Sequence, residues 1–378
     1  MRLAKMVAAA VFLVLGGSVG FTHGRTITVD DDGPADFAAI QAAIDDSNDG
    51  DTVLVADGTY TGDGNRDIDF HGKAITVKSE NGPESCIIDC NATEYDGHRG
   101  FYLHSGEDPN SEIIGFTMSN CYAPRECDPL PPWPCSYAGG GIRCKRSSPT
   151  IRQCRITRNW AGGGAGIHCV AGNPIIAYCT IWGNHAVNGG GGMEIYSSNP
   201  IISNCTFSGN SARYGGGDGI FAHNSNQVLT NCIVWGNVPE EIYVFGGGAV
   251  TASYCDIRGG WPGTGNINAD PCFADTNNGD YHLKSQGGRW EPNEGRWAID
   301  EVTSACIDAG EPMSPIGHEP FPNGGVINMG AYGGTAEASK SYFGEAPCET
   351  IVAGDVNGDC RVDFLDFRLM ALHWLEAR

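Results

Sequence analysis

Basic residues are scarce, with 23 Lys and Arg against 45 Asp and Glu in a chain of 378 residues. A surface of that sign repels nucleic acid and anionic lipid, so neither is an expected partner. The sequence also lacks a P-loop, a G-x-S-x-G elbow and any Cys/His spacing that would hold zinc. No stretch reaches the roughly 20 apolar residues that a transmembrane helix needs. The apolar run at 6–15 is too short for that; it follows Arg2 and Lys5 and precedes small residues, the layout of a secretory signal peptide over residues 1–24. Setting Arg2 and Lys5 aside leaves 21 basic residues and a net charge of −24. The expected location is outside the cell or on its surface.

What the chain has is a repeat. SPTIRQCRITRN, NPIIAYCTIWGN, NPIISNCTFSGN and NQVLTNCIVWGN align Cys154, Cys179, Cys205 and Cys232 at one phase and Asn159, Asn184, Asn210 and Asn237 at another. A weaker copy carries the series through Cys255. Between copies stand GGGIRC, GAGIHC, GGMEIY and GDGIFA, and both series step by 25, 26 and 27 residues. A period in the twenties marks a solenoid whose units bury their apolar faces only by stacking. The leucine-rich pattern L-x-x-L-x-L is missing, and each unit holds short Ile/Val/Cys strands broken by Gly and Pro. The expectation is a parallel β-helix with three short strands per coil. Cys and aliphatic residues then face inward and stack at about 4.8 Å, and Asn turns a corner in the left-handed conformation while its amide joins a ladder.

All 16 Cys follow the leader, which suits an oxidising compartment. The ladder Cys read as small buried hydrophobes. Disulfide candidates lie outside the ladder: Cys86 with Cys90, two of Cys121, Cys127 and Cys135, Cys272 with Cys306, and Cys348 with Cys360. Basic residues concentrate in one coil, at Arg143, Lys145, Arg146, Arg152, Arg155 and Arg158. That belt on an acidic body could receive an anionic sugar.

Near the start, Phe37, Ile40, Ala43 and Ile44 recur at helical spacing with Asp36 placed to cap, and the strand 52–56 follows. F-x-x-I-Q-x-A-I-D followed by G-D-T-V-x-V-x-x-G-T-Y resembles the opening of right-handed β-helix proteins of the pectate-lyase-like superfamily, over roughly residues 27–258. The expected fold is therefore all-β, a right-handed single-stranded parallel β-helix with an N-terminal helix cap and a small C-terminal calcium-loop and helix module. The divisions are 1–24 signal peptide, 25–258 β-helix with its cap, 259–336 C-terminal cap region, 337–347 linker and 348–378 calcium module. The Pro-rich insertion with Trp133 leaves the coil wall and would border a ligand groove.

GDVNGDCRVDFLDF puts Asp355, Asn357, Asp359, Asp363 and Asp366 at positions 1, 3, 5, 9 and 12 of a calcium loop, with Arg361 offering its carbonyl at position 7. The motif resembles a type I dockerin half, which implies Ca2+ and a cohesin-like partner. Cys360 stands where such a loop has Gly, and one copy is present instead of two.

The register also predicts an outward column of Arg143, His168, Glu194 and Phe221, with Lys145, Val170, Tyr196 and His223 two positions on. Arg143, His168 and Glu194 are the candidate catalytic set, because cation, imidazole and carboxylate on adjacent coils can act on one sugar. Lys145, Arg155, Trp133, Trp182 and Trp235 are candidate substrate-binding residues, the tryptophans as platforms for sugar rings. Lyases of the superfamily remove a proton beside a uronate with Arg or Lys, and its hydrolases pair two carboxylates; no second acid accompanies Glu194 in the sequence. The expectation is a secreted carbohydrate-active protein that binds a polysaccharide, with cleavage of the lyase or glycoside hydrolase type left open. The alternative is a non-catalytic adhesion solenoid.

Overall fold

The computed structural model describes residues 24–126, 137–344, 356 and 362–376. The proposed leader, Trp133, Cys127, Cys135, Cys348 and Cys360, and the loop positions Asp355, Asn357, Asp359 and Arg361 lie outside those residues.

One coil shows how the sequence turns. The strands Ile142–Lys145, Thr150–Arg152, Arg155–Thr157 and Trp160–Gly163 succeed one another, and Ile167–Val170 opens the next coil. A single left-handed residue stands at each of the four corners, Arg146, Gln153, Arg158 and Gly164, with φ of 57°, 55°, 55° and 58°. Ala171, Tyr178, Gly183 and Gly190 repeat the pattern one coil on. The ladder Asn is thus not itself the left-handed residue. The residue before it makes the bend, and Asn is left free to point inward.

Stacked coils form three parallel walls among the described residues. The first has nine strands, from Thr26–Val29 to Ala249–Ser253; the second has eight, from Gly58–Tyr60 to Asp256–Ile257; the third has six, from Phe101–Leu103 to Ile242–Phe245. Three coils add a fourth strand to the three expected. Trp160–Gly163, His185–Gly189 and Ser211–Ala212 pair as an inset ladder where the glycine-rich segment is long enough to run alongside its neighbour.

Inside, Ile, Val and Cys stack in register and are almost fully buried. Pairing of Thr150 with Ile175, Ile175 with Ile201 and Ile201 with Val228 carries Cys154, Cys179, Cys205 and Cys232 onto one line, and all four are buried free thiols. Each donates to the carbonyl two residues earlier, as Cys179 Sγ does to Ala177 O at 3.3 Å. The asparagines form the expected amide ladder. Asn159 N and Nδ2 donate to Asn184 Oδ1 at 3.1 and 3.0 Å, and Asn184 Nδ2 donates to Asn210 Oδ1 at 3.0 Å and Ile156 O at 2.8 Å. Glu241 ends the ladder, accepting from Asn237 Nδ2 at 2.5 Å.

The disulfide expectations change. Cys90 bridges Cys121 with Cα atoms 4.8 Å apart, and Cys86 is a buried free thiol. Cys86 and Cys90 are four residues apart along one extended run, about 13 Å at strand rise, too far to bridge. Cys272 and Cys306 are also unbridged; Cys306 Sγ donates to Asp256 Oδ2 at 3.1 Å instead.

The N-terminal helix is shorter than its spacing predicts. It spans Ile40–Asp46, buries Ile40, Ala43 and Ile44, and has no side-chain cap. Asp36 is engaged elsewhere, accepting from Thr28 N and Oγ1 at 2.9 Å each. At the other end, Trp261 packs on the core and Ile267 N donates to Cys255 O at 2.9 Å, so this stretch lies on the last coil. Residues after 268 do not extend the stack. They run back along the outside of the second wall, burying Ile233 with Leu283, Cys306, Ile307 and Met329. No described helix is long and apolar enough to cross a membrane.

Candidate functional site

The third wall places Tyr102, Arg143, His168, Glu194, Phe221 and Tyr243 in one outer column, each the register partner of the next. Arg143, His168 and Glu194 are therefore adjacent, as the repeat step predicts. They do not form an open face. Arg143 is 5% and His168 7% exposed, while a fifth of the Glu194 side chain reaches solvent.

Glycine explains the burial. The glycine-rich segment before each third-wall strand folds back over that strand's outer residue. A Cβ on Gly139 would stand 2.6 Å from Arg143 Cβ, and one on Gly164 2.8 Å from His168 Cβ. Gly163, on the inset ladder, has no room at all, since its Cβ would lie 2.0 Å from Glu194 Oε2.

Burial then sets the charges. It holds His168 well below the usual imidazole range, with Arg143 and Arg99 adding to the effect, so the ring is neutral. Burial likewise pushes the Glu194 carboxyl up to about 7, with Arg143 opposing. His168 Nε2 stands 3.7 Å from Glu194 Oε2, and His168 Nδ1 is buried without a hydrogen-bond partner.

Sequence reasoning missed three residues here: Arg99, Tyr102 and Glu126. Glu126 follows the disulfide at Cys121 and bends onto the column. Its Oε2 accepts from Arg143 Nη1 and from Arg99 Nη2 at 3.3 Å, and its Oε1 from Tyr102 OH at 2.8 Å and Lys145 Nζ at 3.0 Å. Burial works to raise this carboxyl, but Arg143, Tyr102, Lys145 and Arg99 outweigh it and hold Glu126 below its ordinary value. Tyr102 was legible, because GFYLH aligns with GIRCK; Glu126 sits in the insertion, where no register applies.

Beside this column run Lys145, Val170, Tyr196, His223 and Phe245. Tyr196, His223 and Phe245 stack with ring centroids 4.5 and 5.2 Å apart. The remaining candidates belong to the second wall. Trp182 packs on Tyr281 with centroids 5.8 Å apart, and Trp235 packs into the cluster of Ile233 and Leu283. The returning C-terminal segment thus covers two tryptophans expected to stand open. Arg155 pairs with Glu84 and donates to Tyr332 OH at 2.9 Å, lining a cleft of about 600 Å³ shared with Lys78, Arg152 and Glu337.

Of the calcium-loop residues, Asp363 and Asp366 are described. Asp363 Oδ1 accepts from Leu365 N at 2.7 Å at the start of the helix Phe364–Glu376. Asp366 is buried and accepts from Val356 N and Asp363 N at 2.7 Å each.

A family model described as "Right handed beta helix region" matches residues 134–257. Among solved structures the chain is similar to pectate lyase Pel9A, at 14% identity and a TM-score of 0.42, over 82% of this chain and 97% of that one. No curated protein matches the sequence. With its parallel walls and the matched coils together, the chain has the fold of a right-handed parallel β-helix.

Proposed function

We propose that the protein binds an acidic polysaccharide along its third wall and cleaves it by β-elimination, with Glu194 as proton acceptor. The observation that carries this reading is the Glu194 carboxyl, partly exposed, brought to about 7 by burial and placed beside a neutral imidazole and a cationic cluster. A carboxylate of that basicity is a stronger proton acceptor than an ordinary one. Glu194 takes the proton next to the uronate carboxylate, the electron pair forms the new ring double bond, and the glycosidic oxygen leaves with the proton Glu194 accepted. Arg143 supplies positive charge toward the anion that forms. Arg143 cannot itself be the base, since it is buried and paired with Glu126.

Hydrolysis is less well supported. It needs a second working carboxylate, and Glu126, the acid that joins this column, is held by four donors. The same reading takes the chain as exported and its 355–366 loop as a calcium site; a cohesin-like partner is not proposed.

The test is a panel of acidic and neutral polysaccharides, followed by reducing ends and by ultraviolet absorbance of unsaturated uronates. Wild type should give both signals on an acidic polymer, with the rate rising as pH passes through about 7, the value burial gives Glu194. Glu194→Gln should lose both. Reducing ends without absorbance would replace elimination by hydrolysis.

A further inference from the structure

Four donors converge on the one carboxylate of Glu126, which is more than a stable fold requires. Arg99 and Arg143 are 4% and 5% exposed, and both address the same oxygen. Two buried guanidinium groups so placed repel each other, and burial together with Arg143 brings Arg99 down to about 10. Desolvating paired cations rarely favours folding over an apolar alternative. Arg143 Nε is moreover buried with no hydrogen-bond partner. The Tyr102 ring lies against both groups, 4.7 Å from the Arg99 guanidinium carbon and 5.6 Å from that of Arg143. Planar forks, a phenol and an ammonium aimed at two oxygens are what recognition of a ligand carboxylate calls for.

The two sides of the contact have different origins. Tyr102, Arg143 and Lys145 are fixed by the strands Phe101–Leu103 and Ile142–Lys145, and Arg99 stands two residues before the first of them. Glu126 comes from a separate stretch of chain beyond Cys121. Its side chain can therefore be exchanged for another carboxylate without dismantling the receptor.

We propose that Arg99, Tyr102, Arg143 and Lys145 form a receptor for a uronate carboxylate, and that Glu126 occupies it in the resting protein as an internal stand-in. The inference rests on the reading of the third wall as a site for acidic polysaccharide and adds how the ligand is anchored. Coils repeat at about 4.8 Å, close to the length of a pyranose unit, so a chain along the axis would lay successive units over successive coils. The receptor would then hold a unit two coils from the one facing Glu194, with the unit over His168 between them. Glu126 competes with it, so the resting affinity for polyuronate is lower than the donors alone would give.

Glu126→Gln removes the charge of the occupant and keeps its volume. In the full chain it should unfold at a lower temperature than wild type, recover with oligogalacturonate, and not recover with a neutral xylo-oligosaccharide of equal length. Calorimetry should show oligogalacturonate bound about ten-fold more tightly than by wild type, and E126Q/R143Q should lose that gain. If E126Q does not fold, Glu126→Asp, whose shorter carboxylate sits less well, should show a smaller gain. Equal affinity in wild type and the folded variant overturns the receptor, even where Glu194→Gln still abolishes turnover. Tighter binding by the variant, with turnover untouched by Glu194→Gln, upholds the receptor and removes Glu194 from its proposed role.

Discussion

Glu194 and His168 are register partners whose burial acts in opposite senses on stability. The Glu194 carboxyl is raised to about 7, so the folded state holds a proton the unfolded chain releases near 4.3. Its contribution is complete below the unfolded value and is lost as pH rises through about 7. His168 is lowered, so its contribution is complete above about 6.5 and is lost as pH falls below that. Glu194→Gln removes only the first dependence. The variant should gain on wild type between pH 5 and about 7 in calorimetric melting temperature and level off above that; a constant difference would mean that Glu194 ionises at its ordinary value. The adjacency of the two groups was legible from repeats of 25 and 26 residues. Their burial was not, because it depends on glycine segments folding back over the strand, a path in three dimensions that register arithmetic does not contain.

The ladders are where a single substitution acts on several coils. Asn184→Ala leaves Asn159 N, Asn159 Nδ2 and Ile156 O without their Asn184 partner in the core. Asn159 Nδ2 keeps Met118 O at 3.2 Å; with unsatisfied buried groups costing about 1–3 kcal/mol each, the other two make the loss on the order of 2–6 kcal/mol, read from the urea midpoint. Loss under 1 kcal/mol would mean water replaces the amide. Which residues stack was readable from phase alone, but which residue bends was not: Arg158 and Tyr178 carry the left-handed corners although neither favours them. The tight step of the repeat imposes that conformation. Two acids of the C-terminal loop separate calcium binding from structure in a similar way. Asp366 holds the amides of Val356 and Asp363, so Asp366→Ala should weaken the tail with or without calcium. Asp355→Ala should weaken it only with calcium, by circular dichroism in calcium and in chelator; equal effects in both would exclude a metal at that position.

The molecule as a whole is a stack with one flank covered. The lost period after Cys255 reads naturally as an end cap, and residues 261–267 do lie on the last coil through Trp261 and Ile267. Beyond residue 268 the chain has no repeat, so no phase foretells its path. Ala331 N donates to Thr206 Oγ1 at 3.1 Å, Gly330 N to Asn231 O at 2.7 Å, and Tyr332 reaches Arg155, so the segment retraces several coils. This explains why outward residues of the second wall can be Ile233, Trp182 and Trp235, while the third wall carries Arg143, His168 and Glu194 in its outer column. Ending the chain after residue 344 should therefore leave the solenoid's melting unchanged. Ending it after residue 268 keeps the end closed but strips the flank, exposing side chains whose burial contributes about 1.5–3 kcal/mol each, a loss on the order of 5 kcal/mol. The shorter chain should melt earlier, bind a hydrophobic dye and associate, as followed by scanning calorimetry and light scattering. Were it to melt with the full chain and bind no dye, the segment would be a separate module resting on the wall, and the two tryptophans beneath it would return as candidate sugar platforms.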